Sequence, residues 1–216
     1  MSLLHETSIT YIYGVGKAKA QAYARAGVQT LFDLVYYFPR AYENRQNVRL
    51  LAETDDKVKS AVILTVATEP RIANLKRGMS LLKFRAFDES GTCEITYFNH
   101  NYLKDKFPIG STFRFWGKVE RQKSRFSMTS PDAEAWTEEI SLPPFRSIYP
   151  LSEGLTQKQI AKDMKSAMTV LSCSETGEDP LPEELRRKYG LCLQTYALRN
   201  IHMPESFRAL RRQKNG

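Results

Sequence analysis

The chain has 216 residues, 42% hydrophobic and 26% charged, and its 32 Lys+Arg against 24 Asp+Glu leave a net charge of +8. That length allows one large or two small domains at roughly 100–200 residues each, and the composition is that of a globular soluble protein, not a disordered or fibrous one. No segment approaches the ~18–20 apolar residues of a membrane span, and Met1 to Tyr11 lacks the basic stretch and apolar core of a secretory signal, so a cytoplasmic protein is expected.

Residues 1–50 read as helical. Gly16 to Ala26 is rich in Ala and Lys with Gly27 as a C-cap, and Leu31 to Phe38 forms a second short helix that Pro39 stops. In the run Tyr13-Gly14-Val15-Gly16-Lys17, two glycines precede the first helix, like half of a helix-hairpin-helix element. Free N–H groups and the positive end of the helix dipole there could hold a phosphate beside Lys17, or the glycines could simply make a tight turn.

Residues 51–140 read as short strands: Val58–Thr68, Ser80–Phe87, Thr92–Phe98, Thr112–Arg121 and Arg125–Thr129, with a tight hairpin at Asp88–Gly91 and a short helix at Asn101–Phe107. Five strands with a helix between the third and fourth is the order of a five-stranded antiparallel OB-fold barrel, which with the helical flanks makes an α+β chain. The loops flanking the binding face of such a barrel would be Arg71–Gly78, with Arg71, Lys76 and Arg77, and Arg121–Arg125, with Arg121, Lys123 and Arg125. Period-two alternation turns Leu82, Phe84, Ala86, Cys93, Ile95, Tyr97, Phe113, Phe115 and Val119 inward. It turns Lys83, Arg85, Glu94, Thr96, Phe98, Arg114, Trp116 and Lys118 outward, with Trp116 either exposed or packed on a helical segment.

The net charge lies in this segment. Residues 57–131 hold 14 Lys+Arg against 6 Asp+Glu, whereas residues 1–56 hold 6 of each and residues 132–216 hold 12 of each. A basic stretch interleaved with rings suits nucleic acid; a solvated basic surface over an aromatic core has the same composition. An aromatic among Lys and Arg, as at Phe98, is what base stacking requires.

Residues 141–216 open with Pro143-Pro144 and become helical. Thr156 with Gln159 makes a capping box, and Ile160, Met164, Ala167, Met168 and Leu171 form a core stripe. Ser172–Asp179 is a polar loop, Pro182 opens a helix that Gly190 ends, and Pro204 opens a last basic helix with Arg208, Arg211 and Arg212 that looks cut off. The cysteines Cys93, Cys173 and Cys192 and the histidines His5, His100 and His202 are scattered, so free buried thiols and no metal site are expected. Asp88, Glu89 and Glu94 could hold Mg²⁺ for a nuclease, but without partner His or Lys residues their simpler role is turn formation and surface charge.

Six runs stand in order along the chain: Gly14-Val15-Gly16, Thr30 to Leu34, Pro39 to Arg45, Phe98-Asn99-His100-Asn101-Tyr102-Leu103, Tyr149 to Leu155, and Ile201-His202-Met203-Pro204. Together they resemble the N-terminal wedge region of the bacterial ATP-dependent DNA helicase RecG. The resemblance implies an OB-fold wedge at a branched DNA junction, with Phe98 and Tyr102 stacking on bases at the branch; Lys104 is a further candidate cation for binding nucleic acid. It implies forks and three- and four-way junctions as ligands, work in recombination, repair and stalled-fork processing, and ATP with Mg²⁺ for a motor beyond Pro204. The family's Lys before the Gly-Val-Gly turn and Pro after it are Tyr13 and Lys17 here, which argues against a phosphate role for that turn. No Gly-x-x-x-x-Gly-Lys-Ser/Thr run occurs, so this chain is expected not to hydrolyse ATP. A monomer is expected. The rival functions are a module for an acidic peptide, such as the tail of a single-strand DNA-binding protein, and a non-specific single-strand binder.

Overall fold

The computed structural model describes residues 6–75, 78–123, 125–139, 143–173 and 179–204. Most of the Ser172–Asp179 loop and the basic helix expected after Pro204 lie outside them. The helices are α1 (Lys17–Arg25), α2 (Leu31–Val35), α3 (Gln157–Cys173), α4 (Glu183–Tyr189) and α5 (Gln194–His202). The strands are β1 (Ala41–Asn44), β2 (Lys59–Val66), β3 (Arg71–Asn74), β4 (Ser80–Asp88), β5 (Gly91–Phe98), β6 (Thr112–Gln122), β7 (Arg125–Thr129), β8 (Asp132–Ala135) and β9 (Phe145–Ile148). They form two compact units, Met1–Asn44 with Pro143–Gly216 and Arg45–Leu142. No helix among the described residues is long and apolar enough to cross a membrane.

In the first unit the two ends of the chain build one core. Ile12, Val15, Tyr23, Leu31 and Leu34 from the N-terminal segment pack with Ile160, Met164, Ala167, Met168 and Leu171 of α3, the stripe read from helical spacing. Each large side chain so buried contributes about 1.5–3 kcal/mol. The local signals act as read: Thr30 and Asp33 cap α2 reciprocally, Thr156 and Gln159 cap α3, and Gly190 ends α4 in the left-handed conformation at φ 64°. Helix α2 stops at Val35, three residues short of the expected Phe38, because a residue before proline is driven out of the α region. Strand β1 pairs antiparallel with β9, from Ala41 opposite Ile148 to Asn44 opposite Phe145. This ribbon and α5 were absent from the sequence-based elements. Two buried polar groups are fully engaged. Asp163 accepts from Lys19 Nζ at 2.8 Å and Tyr23 Oη at 2.7 Å, and His202 lies between the Val35 carbonyl at 2.7 Å and Tyr149 Oη at 3.0 Å.

The second unit is the expected barrel. Strand β2 pairs with β6, β4 with β5, β5 with β7 in parallel, and β7 with β6, while β2 also pairs with β4, so the ring closes. Beyond a bend after Val66, β3 continues the first barrel strand along β4, from Arg71 opposite Lys83 to Asn74 opposite Ser80. The segment expected as a loop from Arg71 is therefore strand to Asn74, since β4 is long enough to pair with both pieces. Inside, Leu82, Phe84, Ala86, Cys93, Ile95, Tyr97, Phe113, Phe115 and Val119 are all buried, as parity required. Phe107, after a 3₁₀ helix at Asn101–Lys106, packs on Phe84 at 4.7 Å and Phe113 at 5.0 Å between ring centroids. The β4–β5 hairpin turns on Asp88, whose Oδ1 accepts from Ser90 N, Ser90 Oγ and Gly91 N while Oδ2 accepts from Leu51 N. That carboxylate is committed to the turn.

Three expectations about exposure change. Arg114 points away from the barrel core but is buried, because β8 lays Glu134 against it: Nη2 and Nε reach Glu134 Oε2 at 2.6 and 3.1 Å. Trp116 is half-buried in the same unit with the Arg45 guanidinium 5.3 Å from its ring centroid. Cys93 is a buried thiol, pushed up to about 12 by burial with Asp88 and Glu94 adding, but Cys192 is exposed, contrary to expectation. It lies between α4 and α5, where Leu191 and Leu193 are exposed as well.

A candidate nucleic-acid interface on the barrel

Because side chains alternate along a strand, neighbouring strands in register place their outward residues in rows. On β3, β4 and β5 these rows run Leu81 beside Phe98, then Arg71, Lys83 and Thr96, then Arg85 beside Glu94. Lys83, Arg85, Glu94 and Phe98 are all exposed. Phe98 keeps 42% of its surface accessible, while Tyr97, one residue earlier and of opposite parity, keeps 4% and donates its hydroxyl to the Pro131 carbonyl at 2.8 Å.

The backbone beyond Phe98 fixes where its ring stands. Asn99 takes the left-handed conformation at φ 55°, and its Oδ1 accepts from Ser80 N while its own N–H donates to the Ser80 carbonyl, both at 2.9 Å. The chain thereby leaves β5 and enters the 3₁₀ helix carrying Tyr102, which is 76% exposed. Its hydroxyl lies 3.0 Å from His100 Nδ1, and the two rings meet edge to face at 5.5 Å. His100 and Asn99 are positioning residues that the residue pattern alone did not single out. The αL-tolerant Asn after a strand was the available signal.

The expected cations divide into three groups. Arg71 and Arg85 are exposed and make no ion pair among the described residues. Lys83 pairs with Glu94 Oε1 at 2.9 Å, and Lys104 approaches Glu69 Oε1 at 3.9 Å; both pairs are solvent-exposed, so each holds its cation only weakly. At the far rim Arg121, Lys123 and Arg125 are exposed, with Lys123 at a turn of φ 56° and the Arg121 guanidinium 5.5 Å from the Phe126 ring. Lys76 and Arg77 lie outside the described residues. Over β3, β4 and β5 an open groove of about 350 Å³ is lined by Thr68, Glu69, Arg71, Ala73, Lys83, Phe84, Arg85 and Glu94.

The glycine turn belongs to the first unit. Gly14 has φ +87° and Gly16 precedes α1 in an extended conformation, and between them Val15 is buried in the core. That is the geometry of a turn that inserts an apolar anchor. Lys17 is exposed, and Lys19 is tied to Asp163.

Residues 8–171 match the model of the RecG wedge domain family. The ATP-dependent DNA helicase RecG of Streptococcus pneumoniae is 31% identical over 205 residues, which cover 93% of this chain and 29% of that protein. The Bacillus subtilis protein of the same name is 29% identical over 206 residues, covering 95% and 29%. A solved structure of RecG bound to a three-way DNA junction matches with a TM-score of 0.82 at 25% identity, over 97% of this chain and 28% of that one. The chain therefore spans less than a third of the length of these relatives.

Proposed function

Because the chain belongs to the RecG wedge domain family, we propose that it binds branched DNA and parts its strands as the wedge of an ATP-dependent helicase active in recombination, repair and stalled-fork processing. ATP and Mg²⁺ belong to a motor outside these 216 residues. Its part is binding and strand parting without ATP hydrolysis of its own, since its sequence has no phosphate-cradling P-loop run. One observation carries the reading. Phe98 and Tyr102 present exposed rings at one end of an outward face whose next two rows hold Arg71, Lys83 and Arg85. Unpaired bases stack on such rings while the cations hold the backbone, an arrangement worth ~1–3 kcal/mol per stacked base. An acidic peptide would use the cations but has no need of the two rings. The test is competition between forked, duplex and single-stranded DNA for the chain at fixed salt. The fork is expected to win, and equal affinity for all three would replace the wedge with generic binding.

A further inference from the structure

The row of outward residues that begins with Arg71 and Lys83 does not stop at β5. Thr96 of β5 lies opposite Lys83, and in the parallel pair of β5 with β7 it stands beside Thr129. Met128 of β7 lies opposite Val119 of β6, so one further step sets Thr129 beside Lys118, and Lys118 lies opposite Lys59 of β2. Pairing thus joins Arg71, Lys83, Thr96, Thr129, Lys118 and Lys59 into one row, which holds no carboxylate. The next row on one side carries Phe98; the next on the other carries Arg85 together with Glu94 and Glu120.

Like charges directly opposite each other destabilise an antiparallel pair, so folding alone does not favour Lys59 across from Lys118; an anion lying over both removes the cost. Arg71, Thr129, Lys118 and Lys59 are exposed, and Lys118, like Arg71, makes no ion pair among the described residues. Lys83 meets Glu94 at 2.9 Å in an exposed pair that holds it only weakly. Threonine hydroxyls donate to phosphate oxygens as the cations do, so Thr96 and Thr129 continue the row. Shape narrows the partner further. Five steps between neighbouring strands carry the row about 24 Å, across every strand of the closed ring. A duplex, stiff over roughly 500 Å, would touch such a curve only along a tangent. An unpaired strand turns at each nucleotide and can follow it.

We propose that this row is a track for one unpaired DNA strand, which leaves Phe98 and continues around the barrel with its phosphates on Lys118 and Lys59. The inference rests on the proposed reading that DNA lies on the outward face at Phe98, and carries it beyond that face to β6 and β2. The track is indifferent to sequence, because phosphate contacts position a strand and base contacts specify it.

The test is the salt dependence of binding of the whole chain to a 12-nucleotide oligo-dT, a fork and a blunt duplex, by fluorescence anisotropy between about 50 and 200 mM salt. Each phosphate neutralised on a single strand adds about −0.7 to the slope of log affinity against log salt, so the four cations of the row predict about −3 on oligo-dT. Lys59→Ala with Lys118→Ala should make that slope shallower by about 1.4, with the melting temperature and the slope on the duplex unchanged. Lys158→Ala with Lys162→Ala, which removes equal charge from exposed positions of α3, should change neither slope. Where the first pair does not fold, Lys118→Gln alone should remove about 0.7. A slope on oligo-dT that stays put in the folded variant, or that moves as much on the duplex or with the α3 pair, overturns the track and leaves the DNA face at Phe98 standing. Binding of the fork without oligo-dT also overturns the track alone, and binding of neither overturns the track and the DNA reading together.

Discussion

Replacing Phe98 and Tyr102 together by Ala separates a recognition role from a packing role, because the structure gives different magnitudes for each. Phe98 is 42% exposed, so its truncation forfeits a little over half of the ~1.5–3 kcal/mol that full burial of such a side chain contributes, roughly 1 kcal/mol. Tyr102 is 76% exposed and its contact with His100 is a surface one, which places its loss within ~0.5 kcal/mol. For a unit of this size that total of about 1–1.5 kcal/mol lowers Tm by about 4–12 °C and leaves the barrel folded. If each ring stacks on one base, binding loses at least ~2 kcal/mol, about 30-fold. The assay is anisotropy on a three-way DNA junction, paired with a thermal melt of the same preparation. Tyr97→Ala is the control: its ring is buried, and its removal should cost about 3–5 kcal/mol and disrupt the barrel before any question of binding arises. A double variant that stays folded and keeps full affinity for the junction refutes the stacking role. One that unfolds as Tyr97→Ala does refutes the assignment of parity.

Salt and pH give two more expectations. If on the order of five phosphates are neutralised by the exposed cations of the face and its rims, log affinity for DNA falls against log salt with a slope near −4 to −5; an affinity indifferent to salt sinks the reading. The Val35 carbonyl can only accept, so His202 Nε2 carries the proton and Nδ1 accepts from Tyr149, and burial lowers the pKa of this neutral ring below its ordinary 6.5. Its contribution to stability is then complete above pH 6.5 and is lost as pH falls toward the lowered value, at up to ~1.4 kcal/mol per pH unit, because the unfolded chain takes up the proton first. Melts between pH 7.5 and 5 should show a decline that is shallower in His202→Gln.

The barrel was legible because its signals are local. Alternation in β4, β5 and β6, the Asp88–Gly91 turn and the capping pairs at Thr30 and Thr156 each declare themselves within a few residues. The ring that such signals position, Phe98, followed from parity, whereas Tyr102 came only with the family resemblance because one residue at the start of a helix has no period. The hidden elements depend on distant partners. Strands β1 and β9 have four residues each and meet across about a hundred residues of chain, so neither has enough length to show a pattern. The two terminal segments, each neutral and helical, gave no sign that they share a core, since helical periodicity shows which face is apolar and not what covers it.

The charge count suffers from the same blindness, and that yields a sharp expectation. Arg114 and Arg85 contribute equally to the net +8 of residues 57–131, but Arg114 is neutralised by Glu134 on β8, twenty residues on, and its Nη1 donates to the Arg45 carbonyl. Arg85 makes no ion pair among the described residues and stands on the proposed DNA face. Removing one partner of a buried ion pair costs about 3–5 kcal/mol, and since Glu134 is 36% exposed and can rehydrate, Arg114→Ala should cost about 2–3 kcal/mol of stability. Its effect on DNA affinity should stay below about twofold wherever the variant remains folded, as no phosphate contact is lost. Arg85→Ala should do the reverse, with stability unchanged within ~0.5 kcal/mol and the salt slope reduced by about one. Should folded Arg114→Ala lose as much DNA affinity as Arg85→Ala, β8 does not cover that arginine in solution, and the outward face is wider than β3, β4 and β5.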